Sequence, residues 1–442
     1  MSFIEGEARN QGTLFPVLLD DFIPADHVCR VIEAFVNRLD MEGKGFERAE
    51  PAETGRPGYD PRDLLKLYLY GYLQQIRSSR RLEAECKRNV ELMWLLGRLE
   101  PDHKSIAEFR RMHQEAVTEA GAELVRLARS VGLVRGEWVA IDGSKFQAAS
   151  SARSVRDREA VKRYLEAVEA ADEQDEVVID PVAVAAALEK LQNHPEPEAR
   201  FMRSGSSKIP AYNVQTAVDA EHALIVAQQV TDEATDNRSL LSMAEAAHQA
   251  VGAPTTLNII ADAGYSNGEQ AAQCEAQGIL PHVPANRSIN SHGDGTLFDR
   301  TAFHYDEKTD TFLCPANQRL TRKSVVSRKK SVLYAAAAEV CGPCPLKDRC
   351  TKTSRRFVQR HLYNDTLNRM GQRATKEIMR LRRSTVEHPF ATLKYRIFGY
   401  PRFLVRGIRG AQTEISLAVM VYNLKRMIKV LGGDRLAAAL AT

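Results

Sequence analysis

At 442 residues, with 44% hydrophobic and 27% charged side chains, the chain is long enough for roughly two to four domains, and its composition excludes large-scale disorder or a fibrous repeat. Its longest apolar stretch, near residues 415–424, falls short of the roughly 20 residues that cross a bilayer, and residues 1–9 carry no charged-then-apolar leader, so no membrane partner is expected and the cytoplasm is the expected location. The net charge of +4 conceals an uneven distribution: residues 319–409 hold 23 Lys and Arg against 5 Asp and Glu, which reads as a surface for a polyanion.

Residues 1–135 read as helical. Asp60 followed by Pro61 supplies a cap and a first-turn proline, after which Leu64, Leu65, Tyr68, Tyr72 and Leu73 recur at three- and four-residue spacing. A second helix is predicted over 79–96. A third opens on the capping-box pattern Ser105-Ile-Ala-Glu108, with an apolar stripe running through Ile106, Phe109, Met112, Ala116, Ala120, Leu124 and Leu127 to Val131. Three helices with short connections suit a helix-turn-helix-like reader of DNA ends, with Arg77, Arg80, Arg81, Lys87, Arg88, Arg110 and Arg111 available for phosphates. An ordinary helical domain with solvated charges is the other reading.

At Trp138 the period changes. A short strand over 138–141 ends at Asp142; strands over 212–218 and 223–230 flank the turn Asp219-Ala-Glu-His222; a helix over 239–251 precedes a strand over 256–261 that ends at Asp262; a helix over 268–277 and a strand over 279–283 follow. With a late helix carrying Glu387, this order predicts an α/β protein with a mixed sheet and helices on both faces. Two insertions interrupt it. Residues 149–208 are helical in period, carry an acidic patch over 169–176 and end on Ser204-Gly-Ser-Ser-Lys208, read as a mobile hinge. Residues 287–383 are basic and hold a cysteine cluster. The core is then 136–148 plus 209–286, completed by 384–442 with the glutamate helix and a closing amphipathic helix over 415–430 whose Lys425, Arg426 and Lys429 face outward.

Three carboxylates stand out. Asp142, followed by Gly143, and Asp262, followed by Ala263, end apolar runs, and ligands of sheets with parallel strands gather beyond the carboxyl ends of those strands. Everyday turn formers at strand ends are the competing explanation. Glu387 has its own competitor, because Ser384-Thr-Val-Glu387 is a capping-box pattern and Pro389 is tolerable in a first turn. Against it, Arg380, Arg383, Glu387 and Lys394 fall at offsets −7, −4, 0 and +7, one face of a continuous helix. Folding that joined the three carboxylates would make a Mg²⁺ site for phosphoryl transfer, with Arg383 and Lys394 on DNA phosphates.

These residues together resemble the DDE transposases of bacterial insertion sequences, in the branch whose late helix carries Tyr-x2-Arg-x3-Glu-x6-Lys. Arg383, Glu387 and Lys394 match that spacing, while Arg380 stands where the signature has Tyr. The resemblance implies an RNase H-like core in which Asp142, Asp262 and Glu387 bind two Mg²⁺ ions, for which Mn²⁺ can substitute. It also implies cleavage and strand transfer at the ends of the protein's own element. The implied partners are double-stranded DNA, as terminal inverted repeats and target, and a second copy of the chain, because two ends must be cut together. Lys145 and Tyr265, close in sequence to the first two carboxylates, and Arg380 are further candidate DNA contacts; a solvated lysine and a packed tyrosine are the alternatives. A transposase-derived DNA-binding protein without catalysis, or a metal-dependent nuclease that joins no ends, would keep much of the same pattern.

Of the seven cysteines, Cys29, Cys86 and Cys274 stand singly and read as small buried hydrophobes. The other four, Cys314-x26-Cys341-x2-Cys344-x5-Cys350, supply the thiolates of a tetrahedral Zn²⁺ site, with packing or redox roles as alternatives. After the glutamate helix, Arg396, Arg402, Arg406 and Arg409 interleave with Phe398, Tyr400 and Phe403, a pattern that suits either unpaired DNA or the edge of a core.

Overall fold

The structure, a computed structural model, describes residues 18–50, 58–172, 180–285, 297–298, 300–327 and 330–441. The chain forms two compact units, one of Met1–Ala234, Ala246–Pro254 and Arg383–Thr442, the other of Thr235–Glu245 and Thr255–Arg382.

The first unit opens with helices α1 (Val28–Arg38), α2 (Pro61–Leu73), α3 (Ser79–Cys86), α4 (Val90–Leu95), α5 (His103–Met112) and α6 (Gln114–Ser130). Helix α2 begins as predicted, with the Asp60 carboxylate accepting from the Arg62 amide at 2.7 Å and Pro61 in the first turn. The single helix expected over 79–96 is two, because Asn89 accepts from the Glu91 amide at 3.0 Å and starts α4. The third expected helix also divides, at His113, whose buried ring nitrogens lie 2.9 Å from the Phe109 carbonyl and 3.2 Å from that of Glu47. Its cap is Asp102, not Ser105. Asp102 accepts from the amides of Lys104 and Ser105 at 2.9 and 3.1 Å, and Ser105 sits inside the first turn with its hydroxyl on Asp102.

Next come β1 (Trp138–Gln147), α7 (Ala152–Asp172), α8 (Pro181–Gln192), β2 (Arg200–Ser204), β3 (Ser207–Asp219) and β4 (Ile225–Thr231). Long, buried β3 carries antiparallel β1 on one edge and β2 and β4 in succession on the other. The first strand therefore does not stop at Asp142. Asp142 pairs with Thr216, and Gly143 to Gln147 continue the ladder, since a Gly after Asp does not end a strand whose neighbour still offers backbone partners. The Gly/Ser stretch after β2 is no hinge either: Ser204 pairs with Ser207, and Gly205 at φ +61° closes a tight hairpin turn that suits a residue without Cβ. Of the acidic patch, residues 173–176 lie outside the described residues.

In the second unit, α9 (Leu240–Ala250) begins and is followed by β5 (Leu257–Ile260), α10 (Gly268–Ala276) and β6 (Ile279–His282); β5 and β6 pair in parallel, the crossover helix making this possible. Pairing is thus both antiparallel and parallel in this α/β protein. The basic insertion is a five-stranded antiparallel sheet of β7 (His304–Asp306), β8 (Thr311–Leu313), β9 (Arg319–Val326), β10 (Ser331–Ala335) and β11 (Phe357–His361), with α11 (Ala338–Cys341) and α12 (Lys347–Cys350) between the last two strands. It has its own core of Phe303, Phe312, Leu320, Val332, Tyr334 and Val358.

The chain continues through α13 (Asn364–Arg373), α14 (Lys376–Ala391), α15 (Ile408–Leu431) and α16 (Gly433–Ala441). Because α14 begins at Lys376, Ser384 and Glu387 lie well inside it, which removes the capping explanation of Glu387. Pro389, which has no amide for the carbonyl four residues back, precedes a π-helical turn over Thr392–Ile397. Helix α15 is buried on most of its surface rather than amphipathic. It also covers the β4 edge. Asn423 bonds both the amide and the carbonyl of Ile225, at 2.9 and 2.8 Å, and Gln412 accepts from the Val230 amide at 2.8 Å. No helix among the described residues is long and apolar enough to cross a membrane.

Candidate active site

Asp142 lies mid-strand and half-buried. Side chains alternate along β1, so Asp142, Ser144 and Phe146 share one face and Lys145 takes the other, which removes Lys145 from the first carboxylate. The π-helical turn supplies the cation instead. Lys394 stands 5.8 Å from the centre of the Phe146 ring; burial holds its pKa below the ordinary lysine value, and the charge of Asp142 pulls the other way.

Glu387 is exposed and has no hydrogen-bond or ion-pair partner among the described residues, and the same holds for Arg383 and Arg380, one and two turns before it. Lys394 does not extend this exposed face, because the π-helical turn brings it into the half-buried setting beside Asp142. The expected four-residue face is therefore three exposed groups and one inward lysine.

In the second unit Asp262 caps the 3-10 turn Ala263–Tyr265, its Oδ1 accepting from the Gly264 amide at 2.8 Å, while Arg382 donates to Oδ2 at 3.3 Å. A Cβ on Gly264 would come within 2.9 Å of Asp262 Oδ1 and 3.9 Å of Asp236 Oδ2, so this glycine leaves room for two carboxylates on one turn. Neither Arg382 nor Asp236 was singled out from the sequence. Helical spacing selected Arg383, and only the fold says which of two adjacent arginines meets the carboxylate. Tyr265 is fully buried, in keeping with the packed tyrosine that was the alternative to a DNA contact.

Asp142 and Glu387 thus belong to the first unit and Asp262 to the second. No three His, Cys, Asp or Glu side chains among the described residues are grouped closely enough to hold an ion. The donors themselves are suited to Mg²⁺, which is usually held by one or two carboxylates together with waters and substrate phosphates rather than by an all-protein cage.

The four clustered cysteines line one cavity of about 30 Å³. Cys314 sits in a turn in which the Gln318 amide donates to its Sγ at 3.4 Å, and the thiol of Cys350 is pushed up by burial, eased by Arg356 and raised further by the other three sulfurs. The lone cysteines are buried as expected, with burial raising Cys29 and Cys274 to about 12 and Cys86 to about 11.

Several cations expected on phosphates point inward. Arg77 donates to the buried Glu414 at 2.9 Å, and Arg110 stacks over Tyr68 at 5.4 Å, whereas Arg80, Arg81, Lys87, Arg88 and Arg111 are exposed. Phe398 and Phe403 are core residues packed on Phe146, at 5.2 and 5.7 Å between ring centres, so of the three aromatics in that segment Tyr400 alone is exposed.

Residues 139–424 match the family described as "Transposase DDE domain", and residues 17–112 match that described as "Transposase domain (DUF772)". No curated protein matches the chain. Among solved structures, a cryo-electron microscopy structure of a piggyBac transposase synaptic complex with hairpin DNA gives a TM-score of 0.36 at 8% identity, covering 94% of this chain and 78% of that one, a likeness too slight to bear on the site.

Proposed function

We infer, for a chain that belongs to the DDE transposase family and is therefore a DNA-cleaving enzyme, that Asp142, Asp262 and Glu387 are the ligands of its catalytic Mg²⁺. Bound there, the metal would activate the attacking oxygen and stabilise the leaving one in an in-line phosphoryl transfer. Glu387 is the observation that carries this reading: a carboxylate in the middle of an exposed helix face, with two cations nearby that leave it unpaired, is a group kept for a ligand. Arg380 and Arg383 would hold DNA phosphates along that face. Lys394, partly desolvated beside Asp142, would neutralise charge on the phosphate at the reaction centre. Arg382 orients the Asp262 carboxylate while it waits.

Within this reading the core is RNase H-like, the DNA is the terminal inverted repeats and target of the protein's own insertion sequence, and two copies of the chain act on paired ends. Purified protein incubated with element ends and Mg²⁺ should give cleaved and joined products. Cleaved ends that are never joined would indicate a nuclease, and bound but intact ends a DNA-binding protein. Asp142→Asn, Asp262→Asn and Glu387→Gln should each abolish cleavage with DNA binding near wild type.

The four thiols would take a structural Zn²⁺, for which their number and type fit and toward which the sulfurs would have to draw in. The hydrogen bond that the Gln318 amide donates to Cys314 Sγ supports this, because backbone donors to sulfur stabilise a thiolate ligand. Elemental analysis should find about one zinc per chain; folded, active protein free of metal would exclude it.

A further inference from the structure

Beside the Asp262 turn the second unit carries a cleft of about 780 Å³, inside the range of about 300–1,000 Å³ typical of sites that enclose a small ligand. Part of its lining is the segment that directly follows Asp262: Ser266, Asn267 and the first turn of α10, held by Asn237, which donates to the Ser266 carbonyl at 2.9 Å. The inserted sheet and α13 contribute Arg300, Lys330, His361 and Asn368.

The lining is positive, with polar groups and the apolar side chains of Ala285 and Leu367 side by side. Arg238, Arg300 and Lys330 face one carboxylate, Glu269, which is ion-paired with Lys330. Arg300 is paired with no carboxylate among the described residues and donates to the neutral Asn364 Oδ1 at 2.7 Å. His361 is held below its ordinary value by burial first, then by the charges of Lys330 and Arg300. Cations and amides beside the apolar surface of Ala285 and Leu367 fit phosphodiester oxygens together with the edges and faces of bases.

We propose that this cleft is the subsite for the DNA strand next to the cut, taking about one or two unpaired nucleotides with their phosphates on Arg300 and Lys330 and a base edge on Asn368. A duplex does not enter a space of this volume. The placement rests on the reading of Asp262 as a ligand of the reaction centre, four residues before Ser266.

The test is binding of a 5′-labelled thymidine tetranucleotide to the full chain in EDTA, followed by fluorescence anisotropy across a salt series. Arg300→Gln with Lys330→Gln should flatten the slope of log affinity against log salt by about 1.4, at about 0.7 per phosphate on a single strand. Asn368→Trp, which fills the cleft and keeps its charge, should weaken binding at least tenfold with the melting temperature unchanged. Wild-type affinity in both variants would overturn the proposal. So would an equal loss from Lys87→Gln with Arg88→Gln, exposed cations in the N-terminal helices. Because no metal is present, these outcomes are separate from the cleavage assay of Asp262→Asn, which tests the reading beneath.

Discussion

On α15 the carboxylate of Glu414 is fully buried and receives four donors: Arg77 at 2.9 Å, the Tyr72 hydroxyl at 3.1 Å, and the amides of Leu404 and Val405 at 2.7 and 2.8 Å. On α14 the carboxylate of Glu387 is exposed and receives none among the described residues. A buried charge costs several kcal/mol unless every lone pair is met, so the first arrangement is a brace, tying the segment after α2 to the loop before α15. The second is free to meet a ligand. Burial and satisfied hydrogen bonds, rather than residue type, separate the structural carboxylate from the one proposed as a metal ligand.

The comparison breaks most sharply if the two glutamates are changed in parallel. Glu387→Gln should lower strand cleavage about a thousandfold or more, the several kcal/mol that metal stabilisation supplies, with an unchanged melting temperature. Glu414→Gln should leave Arg77 buried without its counter-charge and cost about 3–5 kcal/mol in urea unfolding, while the protein that remains folded still cuts DNA. Normal cleavage by Glu387→Gln, or unchanged stability in Glu414→Gln, would erase the distinction.

The same contrast can be sharpened on the cations. Arg383 is exposed, so Arg383→Gln should reduce the salt slope of duplex binding by about 0.9, one phosphate contact, in an equilibrium titration. Lys394 is half-buried beside Asp142, so Lys394→Gln should lower the single-turnover rate far more than it alters that slope.

The smallest expected effect concerns a brace in the second unit. Glu275 accepts from Arg369 and Arg373, each at 2.6 Å; burial pushes its carboxyl up, but the two guanidinium groups prevail and hold it below the ordinary 4.5. A carboxylate depressed in the folded state adds stability that is complete above the unfolded value and is lost as pH falls through the folded one. Amide exchange in α10 and α13 should therefore quicken as pH drops below about 4.5 in wild type and show no such step in Glu275→Gln.

Much of the fold was legible because apolar period survives folding. The β3–β4 hairpin, the parallel pair flanking α10, the Asp60 cap and the buried lone cysteines all follow from local pattern. The inserted sheet was not legible, since its three-residue strands and the exposed, charged β9 carry little alternation to read. Breaks inside helices were also missed. Asn89 and His113 act through side-chain bonds to backbone that an apolar stripe running across them does not reveal.

The sequence by itself singled out the three carboxylates proposed as ligands, the Arg383–Glu387–Lys394 spacing and the four clustered cysteines, because chemistry restricts which residue types can serve and spacing is covalent. Only the tertiary structure decided that Asp142 lies mid-strand with Lys145 on the opposite face, that Arg382 rather than Arg383 meets Asp262, and that Tyr265, Phe398 and Phe403 belong to the core. Those distinctions depend on which way a side chain points once strand pairing, a π-helical turn and burial have set its direction, and neighbours in space set that direction where neighbours in sequence do not.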